Sequence, residues 1–191
     1  MRRPLPDAAH WRLFVAAPLP EVAAARVLEA LAEVRTLHPS ARWLPPNKLH
    51  LTIVFLGQTD VSRVDSIATV MGEVAAGHRP FDVAAGEAGG RIGGRGGGVA
   101  WMRLANGGHD LAQLALDVDA ALGSATFNEK FAPRPHLTVA RGVSEEALAD
   151  LRAVAAGMTL GWTVNRLVLF RSHTDPGGSR YEELTSASVG A

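Results

Sequence analysis

The chain contains no cysteine. A disulfide scaffold, a thiolate zinc site, an iron–sulfur cluster and a cysteine nucleophile are therefore excluded together. It also has no net charge, because nineteen basic residues balance nineteen acidic ones. That excludes a protein held on nucleic acid by a broad positive field, while leaving room for a small local site for one phosphate. Lysine is nearly missing: Lys48 and Lys130 stand against seventeen arginines. Arginine suits phosphate geometry better than lysine, but coding bias explains the ratio as well, given the many alanines and glycines. No apolar run approaches the roughly 18 residues of a membrane-spanning helix, and Asp7, His10 and Arg12 interrupt any signal-peptide stretch. A cytoplasmic protein with no membrane partner is expected. Three motifs are also missing: the phosphate-binding Gly-x-x-x-x-Gly-Lys-Ser/Thr loop, the Gly-x-Ser-x-Gly elbow and the His-Glu-x-x-His zinc helix.

What remains is an ordinary globular composition, 47% apolar and 20% charged, which excludes a disordered chain. A length of 191 residues fits one domain, or one domain of two similar halves. Trp11 to Ala17, Arg42 to Leu44 and Leu49 to Leu56 read as strands, with helices from Pro20 to about Leu37 and from Ser62, as cap, to about Ala76. Then the pattern restarts. Phe81 to Ala85 and Val99 to Leu104 read as strands separated by a glycine-rich stretch, Gly86 to Gly98, expected as a mobile hairpin loop. A helix from about Asp110 ends at Gly123 as its C-terminal cap. Pro135 to Arg141 reads as a strand, and Ser144 caps a helix to about Ala156. Leu160 to Phe170 and Tyr181 to Leu184 are the last strands, joined through the turn residues Thr174 to Ser179.

A near-repeat marks the halves. Leu49-His50-Leu51-Thr52-Ile53 and Pro135-His136-Leu137-Thr138-Val139 share a His-Leu-Thr-aliphatic core about half a chain apart. Residues i and i+2 of a strand share a face. His50 therefore projects with Thr52, and His136 with Thr138, over aliphatic residues on the opposite face. Two lobes facing each other bring these four side chains around one point. Such a set suits acid–base chemistry on a phosphate. One imidazole takes a proton from water, the other gives one to the leaving oxygen, and the hydroxyls donate to the non-bridging oxygens. An in-line displacement places its two exchanging oxygens on opposite sides of phosphorus, as paired histidines require, and no metal or other cofactor is called for. A metallohydrolase using both histidines as ligands is an alternative, disfavoured by the lack of nearby paired carboxylates.

The paired motif resembles that of the two-histidine (2H) phosphoesterases, and within them the RNA 2′,3′-cyclic phosphodiesterases, also called 2′-5′ RNA ligases. Arg12 to Ala16 resembles the family's opening strand, Trp43 to Leu49 the lead-in to its first motif, and Phe55-Leu56-Gly57 the exit. Phe131 with Pro135 to Arg141 resembles the second motif, and Gly178-Ser179-Arg180-Tyr181 its late Gly-x-x-Tyr. The likeness runs from about residue 11 to 185. It implies an α+β, bilobal duplicated fold, with antiparallel sheets lining a central cleft and helices packed outside. Residues 1–191 then form a single domain of two pseudo-symmetric lobes, each contributing one motif. The implied activity is hydrolysis of 2′,3′-cyclic phosphate ends of RNA or nucleotides to 2′-phosphomonoesters, with His50 as proton donor and His136 as proton acceptor. The order of donor and acceptor comes from the resemblance alone. A nucleotide- or RNA-binding module with little turnover, and 2′-5′ RNA ligation at the same site, are the alternatives. A monomer is expected.

Weaker candidates surround the motifs. Arg141 follows His136 by five residues, which in a regular strand sets it on the opposite face, so a phosphate contact requires a strand end or a bulge; a structural salt bridge is the alternative. Tyr181 either bonds substrate or packs in the cleft. Trp43 and Phe55 are candidates for stacking on a base, with core packing the expected role. His10, His38, His78, His109 and His173 carry no pattern and are expected at the surface.

Overall fold

The computed structural model describes residues 9–93, 97–124, 133–175 and 178–190. The apolar alternation read along the chain closes into one nine-stranded sheet in which every recorded strand pair is antiparallel. In chain order the elements are β1 (His10–Pro18), α1 (Glu21–Ala30), α2 (Ala32–Leu37), β2 (Arg42–Trp43), β3 (His50–Asp60), α3 (Val64–Gly77), β4 (Phe81–Arg91), β5 (Gly98–Asn106), α4 (Gly108–Leu122), β6 (His136–Val143), α5 (Glu145–Ala155), β7 (Leu160–Val164), β8 (Arg166–Asp175) and β9 (Gly178–Ser188).

The spatial order is β7-β4-β5-β6-β3-β1-β8-β9, with β2 on β6. Two four-stranded halves, β9-β8-β1-β3 and β6-β5-β4-β7, meet through one bridge pair, Leu51 with Leu137. The expected pair of sheets is thus one curled half-barrel sheet with its join at the two motifs. Helices cover one face: α3 packs on β8 and β9, α4 on β3 and β5, and α5 on β4. Between sheet and helices lies the core, where Leu13, Leu51, Ile53, Met71, Met102, Leu114, Leu137 and Leu151 are almost wholly buried.

Local signals explain most boundaries. Gly123 closes α4 in the left-handed conformation at φ 60°, and the Ser144 hydroxyl accepts from the Ala147 amide at 3.1 Å at the start of α5. Four expectations are corrected. The helix over 20–37 breaks at Leu31 into α1 and α2. The cap before α3 is Asp60, whose carboxylate accepts from the Ser62 amide at 2.8 Å and starts a short 3₁₀ turn over Val61–Arg63. The run 160–170 is two strands divided at Asn165, and they go to opposite halves of the sheet: β7 pairs with β4, and β8 with β1 and β9.

The fourth correction concerns the glycines. Residues 86–91 are the second part of β4, not a loop. A Cβ on Gly90 would stand 2.5 Å from Leu148 Cδ1, and one on Gly89 2.6 Å from Trp101 Nε1. These positions are glycine because neighbouring side chains occupy the space above them.

Candidate active site

The two central strands present the motifs on the face away from the helices. Along β3, His50 and Thr52 are partly exposed while Leu51 and Ile53 are buried; along β6, His136 is exposed and Thr138 partly exposed while Leu137 and Val139 are buried. The antiparallel register fixed by Leu51 and Leu137 sets position 50 across from 138, and 52 across from 136. Each histidine therefore faces the threonine of the other motif.

The imidazoles are held identically. His50 Nδ1 lies 2.8 Å from the Lys48 carbonyl, and His136 Nδ1 lies 2.7 Å from the Arg134 carbonyl. A carbonyl oxygen only accepts, so Nδ1 of each ring must carry the proton and donate. Nε2 is left on each ring as the atom that takes or gives a proton. Neither threonine hydroxyl has a hydrogen-bond partner among the described residues, and both remain open to a ligand's oxygens.

Both motifs are followed by the same irregularity. Along β1 the residues Pro18, Ala16 and Phe14 alternate regularly and share a face; their partners on β3 are His50, Thr52 and Phe55. Along β5, Arg103, Trp101 and Val99 share a face, and their partners on β6 are His136, Thr138 and Arg141. The step from 52 to 55, like that from 138 to 141, contains one extra residue, a β-bulge that shifts the alternation by one. Arg141 is thereby returned to the face of His136, against the expectation for a regular strand. It is exposed there, and no salt bridge to it exists among the described residues. The matching bulge in β3 sets Phe55 on the cleft face, 57% exposed, which overturns its expected core role. Trp43 does pack against the core, its indole N–H donating to the His38 carbonyl at 3.0 Å.

The flanks differ. Around His50 the ring centroids of Phe14, Tyr181 and Phe170 lie at 5.3, 5.5 and 6.5 Å, and Phe55 stands 5.9 Å from Phe14. Tyr181 is thus a cleft residue. Burial in this cluster pushes the His50 imidazole below its ordinary pKa; the Lys48 carbonyl opposes that, and the positive charges of Arg141 and His136 add to it. Around His136 one ring stands among the described residues, Trp101, at 5.8 Å, with Arg103 and Arg141 beside it on the same face. Sequence reasoning missed Phe14, Phe170, Trp101 and Arg103 as cleft residues; all four are set by strand register, which local patterns do not reveal.

The other histidines lie elsewhere. His38 meets Asp150 at 2.8 Å, His78 meets Asp117 at 3.0 Å and His173 meets Glu182 at 2.6 Å, so three of the five expected surface residues carry carboxylate partners. Phe131 lies outside the described residues. Among the described residues, no group of three or more histidines and carboxylates is placed to hold a metal ion, and no helix is long and apolar enough to cross a membrane.

A curled antiparallel sheet whose two central strands each carry a His-x-Thr motif is the fold of the two-histidine phosphoesterases. The chain belongs to the 2′-5′ RNA ligase superfamily, whose sequence model matches residues 14–176. Among solved structures it is similar to Escherichia coli LigT in apo form, at 25% identity and a TM-score of 0.71 over 95% of this chain and 98% of that one. LigT complexed with 3′-AMP matches at 25% identity and a TM-score of 0.71, over 95% and 99% of the two chains. TT0787 of Thermus thermophilus shares the fold, at 24% identity and a TM-score of 0.74 over 94% and 98%. No curated protein sequence matches the chain.

Proposed function

We propose that this protein hydrolyses the 2′,3′-cyclic phosphate ends of RNA or nucleotides to 2′-phosphomonoesters without a metal ion. His50 protonates the leaving O3′ and His136 takes a proton from the attacking water. Thr52 and Thr138 donate to the non-bridging oxygens, where charge builds in the transition state. Arg141 faces the same phosphate, and Tyr181 lines the nucleoside side. The observation that carries this reading is the matched pair of Nδ1–carbonyl bonds, 2.8 and 2.7 Å long. They leave two equivalent Nε2 atoms, one on each side of the join between the halves, as acid–base catalysis of an in-line displacement requires. The aromatic rings around His50 offer surfaces for a base and ribose, and the relative LigT has been solved with a nucleotide, 3′-AMP.

The test is purified protein with 2′,3′-cyclic AMP, its product identified by phosphorus NMR. The expected product is the 2′-monophosphate alone, because one bound orientation puts only O3′ in line with the water. A 3′-monophosphate or a mixture refutes that orientation, and absence of turnover refutes the activity.

A further inference from the structure

We infer that Glu182, on the back of β9, is a positioning residue for Tyr181: it fastens the outermost strand of its half so that the Tyr181 ring stands against His50. The kinetic consequence rests on the function proposed above; the placement of the ring does not. Tyr181 is the single tyrosine of the chain. Its ring meets Phe14 edge-on at 5.0 Å and His50 edge-on at 5.5 Å, and lies 6.3 Å from Phe170. These partners sit on β1, β3 and β8. Tyr181 sits on β9, which among the described strands pairs with β8 alone. A ring carried on an edge strand stays against a histidine three strands away only if that strand is held in place.

One end of β9 is pinned beside α3: Val189 is buried, and the Gly190 amide donates to the Ala75 carbonyl at 3.0 Å. Glu183 binds β8 through Arg166, which stands across from Ser188 near that pinned end. The end that carries Tyr181 has a different fastening. Glu182 stands across from Arg171, and Arg171 across from Leu13, which is wholly buried. That rung faces the core side of the sheet, so Glu182 points away from the cleft while its neighbour Tyr181 points into it. The Glu182 carboxylate accepts from His173 Nε2 at 2.6 Å and lies 3.8 Å from Arg171. The Arg171 guanidinium in turn lies 4.1 Å from the centre of the Trp11 ring, and Trp11 packs on the core. Carboxylate, guanidinium and indole thus run across β9, β8 and β1 behind Tyr181, Phe170 and Phe14, which occupy the same three strands in front.

Exposed ion pairs add little to stability, so this chain of contacts acts on geometry, and the sign of one shift separates geometry from charge. The charged groups around Glu182 are all cations, His173, Arg171 and Arg180. Those facing His50 are Arg141 and His136 of β6, with the Tyr181 phenol on β9. Removing a carboxylate takes away negative charge, which on its own lowers the pKa of a histidine. Removing the fastening lets the Tyr181 ring leave His50 and admits water to the imidazole. That raises the pKa, because burial is the first cause that holds His50 low.

Nuclear magnetic resonance tests this on the whole chain. In the wild type the single tyrosine should show Overhauser contacts to the His50 ring, and His50 and His136 should titrate separately. Glu182→Ala should weaken those contacts and move the His50 titration upward toward 6.5, with a smaller change at His136. Glu182→Gln loses the charge but keeps an oxygen for His173, and should restore most of both. Trp11→Leu cuts the same chain without removing a charge and should act as Glu182→Ala does. In turnover, Glu182→Ala should raise KM for 2′,3′-cyclic AMP by up to about tenfold, the worth of one aromatic contact, with a smaller effect on kcat. Unchanged ring contacts, a downward shift of His50, or equal upward shifts at both histidines overturns the inference. Wild-type protein inert toward 2′,3′-cyclic AMP overturns the proposed hydrolysis instead, and the ring contacts still decide the role of Glu182.

Discussion

Donor and acceptor separate when His50→Ala and His136→Ala are compared on two substrates that differ in their leaving group. On 2′,3′-cyclic AMP the leaving ribose oxygen is a poor anion and needs a proton. Supplying it is worth about 10²–10⁴-fold in rate, or about 3–5 kcal/mol of barrier. Activating water is worth a similar amount. Both rings are anchored by the same Nδ1–carbonyl bond, so both variants should lose comparably, and this substrate alone does not tell them apart. On 3′-deoxyadenosine 2′-(4-nitrophenyl phosphate) the leaving group departs as a stable nitrophenolate. Here His50→Ala should lose less than about tenfold, while His136→Ala should keep its full loss, since water still has to be deprotonated. Release of nitrophenolate, followed by absorbance, gives both rates. The free protein makes this a severe test. Burial, then Arg141 and His136, holds His50 below its ordinary pKa and favours the neutral ring, the form a base needs. An anionic phosphate bound between the rings stabilises the imidazolium and draws the proton back to His50. If His136→Ala is the variant rescued by nitrophenolate, the order is reversed. If both variants lose equally on both substrates, paired acid–base catalysis is refuted.

Activity should survive EDTA and show a bell-shaped pH dependence, from one neutral and one protonated imidazole; loss on chelation that zinc or manganese restores refutes the metal-free reading. Thr52→Val and Thr138→Val should each cost less in kcat than loss of either histidine, as each removes one donor from the phosphate; a larger loss refutes that ranking. Because His50 is lowered in the folded protein, the unfolded chain binds more protons below pH 6.5, so this contribution to stability is complete above that pH and is lost as pH falls through the folded value. Urea midpoints should therefore fall from pH 7.5 to 5.5, by less in His50→Gln; an equal fall in both proteins refutes the assignment. Gly90→Ala should destabilise by about 1–3 kcal/mol and lower Tm by several degrees, since its Cβ would meet Leu148 at 2.5 Å and the Val99 carbonyl at 2.9 Å; unchanged or raised Tm refutes the tight packing there.

The motif strands were legible because period-two alternation is a local property. His50 with Thr52, over Leu51 and Ile53, needs nothing beyond one strand. The caps at Gly123 and Ser144 are local in the same sense. What was not legible depends on partners distant in sequence. Gly86, Gly89 and Gly90 read as loop because glycine is a poor strand former, yet Ala105, Trp101 and Leu148 fill the space where their side chains would stand. The apolar run 160–170 carries no mark at Asn165, although the chain crosses there from one edge of the sheet to the other half. Phe55 was misplaced, and Arg141 left open between two faces, for a single reason: one bulge residue reverses the face of everything after it, and no composition signal announces it.

Under the proposed function, those two residues let one backbone serve an unsymmetrical substrate. By register, His50 corresponds to His136, Thr52 to Thr138 and Phe55 to Arg141; on the neighbouring strands Phe14 corresponds to Val99, Ala16 to Trp101 and Pro18 to Arg103, and beyond them Phe170 to Arg91. Identity is kept where the two halves meet and lost away from it. An in-line displacement at phosphorus is nearly symmetrical, with one proton leaving an oxygen on one side and one joining an oxygen on the other, and the proposed reaction therefore asks for equal imidazoles and hydroxyls on both sides. What those oxygens carry is not symmetrical. Clustering aromatic rings on one flank and exposing guanidinium groups on the other gives the two sides different surfaces without moving the strands that carry the histidines. The bulge is the device that allows this. It brings the fifth residue after each histidine to the face of that histidine but outside the His-x-Thr pair, and there the two halves are free to differ.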